Sequence, residues 1–315
     1  MGCFLVPAGP KSRIEKELRV IPAEQSPAQR GHLIVIGGAE SKELDGQILT
    51  TVVDMAGGRD ARITVIATAS LSPQDRFETY NRLFKGMGAR EVHFLDIESR
   101  DDANNPANAE LVYQSTGVFM TGGDQSRLSS ILGGSEVAKA MHRAHKRGLL
   151  IAGTSAGASA ISEHMIVEGG QGLHPRKHML HLAPGLGLLR RVVLDQHFLQ
   201  RQRIGRLLSI VAQNPFILGV GVDEDTAMVV CPNYDFKVIG SGVVTILDGR
   251  DISHSNVTTA MAGDLLAMDG VKLHMLPSGF AYNIETRTPL GADWSCCCPV
   301  PAQTAPAPRV DEALR

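Results

Sequence analysis

A serine stands at the centre of Gly153, Thr154, Ser155, Ala156 and Gly157, a G-x-S-x-G pattern preceded by the apolar run 149–152 and followed by an alanine-rich stretch. A buried strand that turns sharply into a helix lifts the hydroxyl out of the sheet, and small neighbours permit the cramped backbone. The head of the helix also leaves backbone N–H groups unpaired, and these suit the oxyanion that forms when a carbonyl is attacked. Nucleophilic acyl chemistry is the reaction this implies. The same five residues also describe an ordinary tight turn, so the rest of the chain has to decide.

A serine hydroxyl is a weak nucleophile and needs a base, which in turn needs a group to orient it. Of eleven histidines, His197 stands out because the apolar run 192–194 carries Asp195, Gln196 and His197 to the polar end of a strand, where the serine also belongs. His142 and His145 fall in the helix before the serine strand. His174, His178 and His181 lie three or four residues apart in the loop 169–181. Gly and Pro leave no helix to align them as metal ligands, and no acidic residue lies among them. A solvated loop at the rim of the cleft is the preferred reading there, with no metal.

For the orienting acid the chain offers Glu168, Asp195, Asp223 and Glu224. Glu224 is favoured, because the run 217–222 reads as a buried strand that delivers it at the sheet edge expected for Ser155 and His197. Asp195, two residues from the base, reads as a substrate contact. Directly after the histidine come Arg201, Arg203 and Arg206. Such a run is usually a solvated helix face, yet guanidinium groups beside a catalytic base also suit the binding of substrate carboxylates.

These residues need a scaffold. From residue 32 onward, short Val/Ile/Leu runs at 33–36, 63–67, 92–95, 118–120 and 149–152 alternate with helical stretches. That rhythm predicts an α/β doubly wound, mostly parallel sheet covered on both faces. Ligands collect at the carboxyl ends of such strands, where Gly37-Gly38, Gly122-Gly123 and 153–157 all fall. After Gly221 the runs 227–231, 236–239, 243–247 and 271–276 follow too closely for helices, which predicts an antiparallel extension of the sheet or a second small one.

The organisation expected is an N-terminal arm over 1–30, a single domain over 31–287, and a disordered Pro/Cys-containing tail over 288–315. The chain has 315 residues, 43% hydrophobic and 20% charged, with a net charge of -2, so nothing attracts nucleic acid. No apolar run is long enough for a membrane span and no leader resembles a secretory signal, so a cytoplasmic location is expected. Cys3 and Cys231 stand alone and Cys296, Cys297 and Cys298 are consecutive, a usage that suits neither a disulfide framework nor a zinc site.

The segments VIGGAE (35–40), TGGDQSRL (121–128), GTSAGA (153–158), DQHFLQRQRIGRL (195–207) and GVDEDTAM (221–228) together resemble the cyanophycinases of serine peptidase family S51, in order from about residue 33 to 247. The resemblance implies a flavodoxin-like fold akin to class I glutamine amidotransferases, a homodimer, and no cofactor. It implies hydrolysis of cyanophycin, a poly-aspartate bearing arginine on its side-chain carboxylates, to β-aspartyl-arginine dipeptides. Ser155 would be the nucleophile, His197 the base and Glu224 the orienting acid. Gln125, Asp195, Gln196, Arg201, Arg203 and Arg206 would recognise substrate, and the N–H groups of Gly123 and Ala156 would hold the oxyanion. An aspartyl dipeptidase acting on short peptides, and a preference for lysine-bearing polymer, stay open at this level. The loop 169–181 departs from the relatives' pattern and bears on that choice.

Overall fold

Leu33 and Val35 belong to one apolar layer and Ile34 and Ile36 to another, the alternation that a strand buried on both faces requires. In the computed structural model, which describes residues 30–291 and Trp294, this is β1 (Leu33–Ile36). β2 (Arg62–Ile66), β3 (Glu91–Leu95), β4 (Gly117–Met120) and β5 (Leu150–Thr154) join it in a parallel sheet of order β1-β5-β4-β2-β3. One face is covered by α1 (Gln47–Met55) and α2 (Pro73–Gly86), through residues such as Leu49, Val52 and Phe84. The other carries α3 (Arg100–Asn104), α4 (Pro106–Gln114), α5 (Gln125–Leu132), α6 (Glu136–His145) and the short α7 (Ala156–Ile161). Asp124 starts α5 by accepting from the N–H groups of Ser126 and Arg127, and Ser135 caps α6 in the same way. The predicted α/β architecture is the one found, with β5 inside the sheet between β1 and β4.

The second half follows both antiparallel alternatives at once. β10 (Thr226–Val230), β11 (Asp235–Gly240), β16 (Ala281–Asn283) and β17 (Thr288–Leu290) extend the main sheet antiparallel beyond β1, giving nine strands. β8 (Val192–Gln196), β9 (Leu218–Val222), β12 (Val243–Asp248) and β15 (Lys272–Pro277) form a separate four-stranded sheet of order β15-β12-β9-β8. One face of this second sheet packs on the main core through Leu194, Val220 and Ile246, and α8 (Ile204–Gln213) covers the other through Leu207, Ile210 and Val211. β6 (His164–Gly169) pairs with β7 (Leu180–Pro184), and the two-residue strands β13 (His254–Ser255) and β14 (Met268–Asp269) pair with each other.

Four expectations change. The strands before His197 and Asp223 lie in the second sheet rather than at the edge of the main one, because β8 and β9 pair with each other and both faces of their sheet find cover. The loop 169–181 begins and ends in a hairpin, leaving 170–179 as the connection. The domain runs past 287, since β17 completes the main sheet. Cys231, read as standing alone, is disulfide-bonded, and every other cysteine lies outside the described residues, as do most of the arm and the tail beyond Trp294. Among the described residues no helix is long and apolar enough to cross a membrane.

Candidate active site

Ser155 occupies the step between β5 and α7 with φ +52° and ψ −110°, a conformation side chains rarely adopt. Its N–H donates to the Ile36 carbonyl at 3.0 Å, and its carbonyl accepts from the Ser159 N–H at 3.0 Å as α7 begins. Such strain costs about 1–3 kcal/mol and persists only where the surroundings hold it. Here buried small residues, Ala156, Ala158 and Ala160, let the helix start immediately.

His197 arrives from the second sheet. β8 ends at Gln196, and His197 turns at φ +49° with its N–H donating to the Gly37 carbonyl at 2.8 Å. Its Nε2 lies 3.0 Å from Ser155 Oγ, and its Nδ1 lies 2.6 Å from Glu224 Oε1, just past the end of β9. A carboxylate only accepts, so Nδ1 carries the proton and Nε2 is left to accept from the serine. Burial pushes the imidazole below its ordinary pKa; the Glu224 hydrogen bond and charge oppose this, and the Arg201 and Arg203 charges reinforce it. The ring is therefore neutral at pH 7, as a general base must be.

Residues 33–237 match the model of peptidase family S51. The chain belongs to that family. It is a serine peptidase, 39% identical over 263 residues to a protein named cyanophycinase from Synechococcus elongatus, an alignment covering 83% of this chain and 82% of the relative. A cyanophycinase from Geminocystis herdmanii is 39% identical over 262 residues, 83% of this chain and 96% of its own, and one from Trichormus variabilis is 40% identical over 266 residues, 84% and 89%. In fold the chain is similar to a peptidase from an acI-B1 Actinobacterium, with a TM-score of 0.57 at 22% identity over 78% of this chain and 97% of that one.

Around this S51 serine the remaining sequence-level candidates separate. Ala156 opens α7, where a helix leaves its first N–H groups without helical partners. Gly123 sits at φ +147°, and a Cβ there would collide with the Ala69 carbonyl, so the loop after β4 takes its course only with glycine. Gln125 is half-buried and donates from Nε2 to the Ile166 carbonyl at 2.8 Å. Arg201 is exposed.

Asp195, Arg203 and Arg206 form one buried ion cluster. Asp195 is 1% exposed and accepts from Arg206 Nε at 2.6 Å, from Arg206 Nη2, and from Arg203 Nη1 at 3.2 Å. A carboxylate taken out of water needs opposite charge, and the two arginines supply it from the start of α8. Their guanidinium groups are thereby turned inward, so the carboxylate held by this pair is the protein's own. Gln196, 6% exposed, belongs to the same cluster, accepting from Arg203 Nη1 at 2.9 Å through its side chain. Arg203 keeps one buried donor, Nε, without a partner, and burial lowers its pKa to about 10, so it stays charged at pH 7.

Gln200 and Asp225 were not singled out in the sequence, and Gly38 and Asp223 take roles in the site that it did not assign. A Cβ on Gly38, at φ +100°, would fall 2.5 Å from His197 Nε2, so the imidazole lies against bare backbone. Asp223 accepts from the Leu199 N–H at 3.0 Å, and Gln200 Oε1 accepts from the Glu224 N–H at 3.1 Å, which ties the acid's turn to the histidine's. The Asp225 N–H donates to the Gly38 carbonyl at 2.9 Å. Motifs 35–40, 195–207 and 221–228 contained these groups; their partners only folding reveals. A cavity of about 680 Å³ lined by Met55, Tyr113, Thr116 and Arg147 opens near the start of β4 and β5 and holds none of the groups around Ser155.

Proposed function

We propose that this peptidase hydrolyses cyanophycin to β-aspartyl-arginine dipeptides through an acyl-enzyme on Ser155. The observation that carries the reading is the line from Ser155 Oγ through His197 to Glu224, at 3.0 and 2.6 Å, in a chain similar over more than four-fifths of its length to proteins named cyanophycinase. His197 Nε2 takes the hydroxyl proton as Oγ attacks the backbone carbonyl. The N–H groups of Ala156 and Gly123 receive the oxyanion, and Glu224 stabilises the imidazolium. His197 then returns the proton to the leaving amine, and water, activated by the same base, releases the acyl group. Arg201 and Gln125 are the candidates for direct substrate contact, Arg201 for a carboxylate. Asp195, Gln196, Arg203 and Arg206, given the same role by the resemblance, form the buried cluster described above. A homodimer, on the resemblance alone, and the cytoplasmic location expected from the sequence complete the proposal.

The deciding experiment is dipeptide release from purified cyanophycin by the wild type and Ser155→Ala, with the products weighed by mass spectrometry. Expected is β-aspartyl-arginine from the wild type and a loss of at least about a thousandfold in the folded variant. Wild-type inactivity on polymer together with cleavage of short aspartyl peptides would transfer the protein to the dipeptidase reading. Near-native turnover by Ser155→Ala would remove the serine mechanism.

A further inference from the structure

The loop after β1 holds a buried carboxylate to which the reaction steps assign no work. Glu40 is 3% exposed. Its Oε2 accepts from Thr154 Oγ1 at 2.6 Å, and its Oε1 accepts from the Tyr80 hydroxyl at 2.6 Å and pairs with Lys42. Burial alone would raise its pKa, but the Lys42 charge and the three hydrogen bonds outweigh it and keep the carboxyl below its ordinary value. A fully paired, ionised carboxylate in a core is a costly device that an apolar side chain replaces easily, so its placement invites explanation.

The placement is specific. Thr154 is the last residue of β5 and the one before the strained Ser155. Glu40 thus grips the strand on the near side of the nucleophile's turn, while the Ser155 N–H is held by Ile36, the last residue of β1. The same loop reaches His197 and the residue that follows Glu224. The Gly37 carbonyl accepts from the His197 N–H, the Gly38 carbonyl accepts from the Asp225 N–H, and the Ser41 N–H donates to Asp225 Oδ1 at 2.8 Å. Ala39, Ser155, His197 and Asp225 all have positive φ, so four strained non-glycine residues converge on one loop.

We propose that Glu40 is a positioning residue for the nucleophile, acting through Thr154 to fix the end of β5 and with it the direction of Ser155 Oγ toward His197. The proposal rests on Ser155 being the nucleophile. Tyr80 supplies the internal control. It gives Glu40 a hydrogen bond of the same length, but from α2, away from the nucleophile's turn.

The test compares Thr154→Val, Thr154→Ser and Tyr80→Phe with the wild type and Ser155→Ala, measuring kcat and KM on cyanophycin, the rate of labelling by a serine-directed fluorophosphonate, and the pH profile. Thr154→Val is expected to lower kcat and the labelling rate by roughly 10- to 100-fold, as a misdirected nucleophile does, with KM changed by less than about twofold. The pH midpoint stays, because His197 and Glu224 are untouched. Thr154→Ser, which keeps the hydroxyl, recovers most of the loss, and Tyr80→Phe stays within about threefold of wild-type kcat. Equal losses in Thr154→Val and Tyr80→Phe would reduce Glu40 to a structural anchor, and unchanged kcat in Thr154→Val would overturn the proposal outright. Should Thr154→Val not fold, Glu40→Gln reads the same step, with a several-fold lower kcat expected and an unchanged kcat counting against it. Ser155→Ala separates the two layers: turnover and labelling persisting there would sink the nucleophile assignment itself, whereas a dead Ser155→Ala beside a fully active Thr154→Val would sink only the role of Glu40.

Discussion

His197 is held between two opposing influences, and the balance sets the pH at which the enzyme works. Burial disfavours the imidazolium and Glu224 favours it, with burial the larger, so the folded pKa lies below the ordinary 6.5. As the proposed base, the ring is charged, and useless, only at pH below that value. The expected profile of kcat/KM is therefore flat through neutrality and falls on the acid side, with a midpoint under 6.5. Replacing Glu224 by Gln removes the group that raises the pKa while keeping a side chain that accepts from Nδ1. That variant should show a midpoint moved further down and a kcat lower by about a hundredfold or more. A midpoint that rises, or does not move, would contradict the assignment of Glu224 as the charge facing Nδ1. Asp195 shows what a residue-level reading leaves out: a carboxylate two positions from the candidate base invites a substrate role, and folding adds that it is buried against Arg203 and Arg206 of the same chain.

At the scale of elements, the site exists because ends of strands from two sheets meet over one glycine loop. β1 and β5 deliver the loop and the serine; β8 and β9, parallel in the second sheet, deliver the histidine and the acid. The loop carrying Gly38 is the seam between them, and the flatness of that seam can be tested. Gly38→Ala places a Cβ against the imidazole at a φ that L-residues avoid, so His197 must leave its place. Turnover is expected to drop by at least about a hundredfold while the far-ultraviolet circular dichroism stays native, because the seam lies outside both hydrophobic layers. Retention of full activity would show that the ring does not lie where the geometry puts it.

The whole molecule also responds to acid through groups remote from the chemistry. His145, 2% exposed near the start of β5, has its pKa lowered to about 4, chiefly by burial. In the unfolded chain it binds a proton near pH 6.5, so between 6.5 and about 4 the unfolded state holds more protons and stability falls as pH falls. The loss by pH 4 is on the order of 3 kcal/mol from this residue. His32, His197 and Glu40, all with lowered values, act in the same direction, while Asp223, raised by burial, opposes them. Urea unfolding followed at pH 7.5 and at pH 4.5 should show a markedly lower midpoint in acid, and His145→Gln, if it folds, should flatten the difference. An acid-insensitive midpoint would mean that His145 is hydrated in the native protein.

By itself the sequence determined the architecture of the first half, the strand-to-helix turn at Ser155 and the candidacy of His197 and Glu224, because apolar periodicity, glycine and chemically distinctive side chains are local properties. Period and composition said where strands begin and end, and a G-x-S-x-G turn needs only its own neighbours to be recognised. Tertiary structure alone decided that β8 and β9 belong to a second sheet, since strand pairing depends on which faces find cover far away along the chain. It alone decided that Asp195 neutralises Arg203 and Arg206 instead of meeting solvent, that Gly38 lies under the histidine ring, and that Glu40 reaches Thr154 across 114 residues. Burial and charge pairing arise between segments brought together by folding, so no local pattern records them.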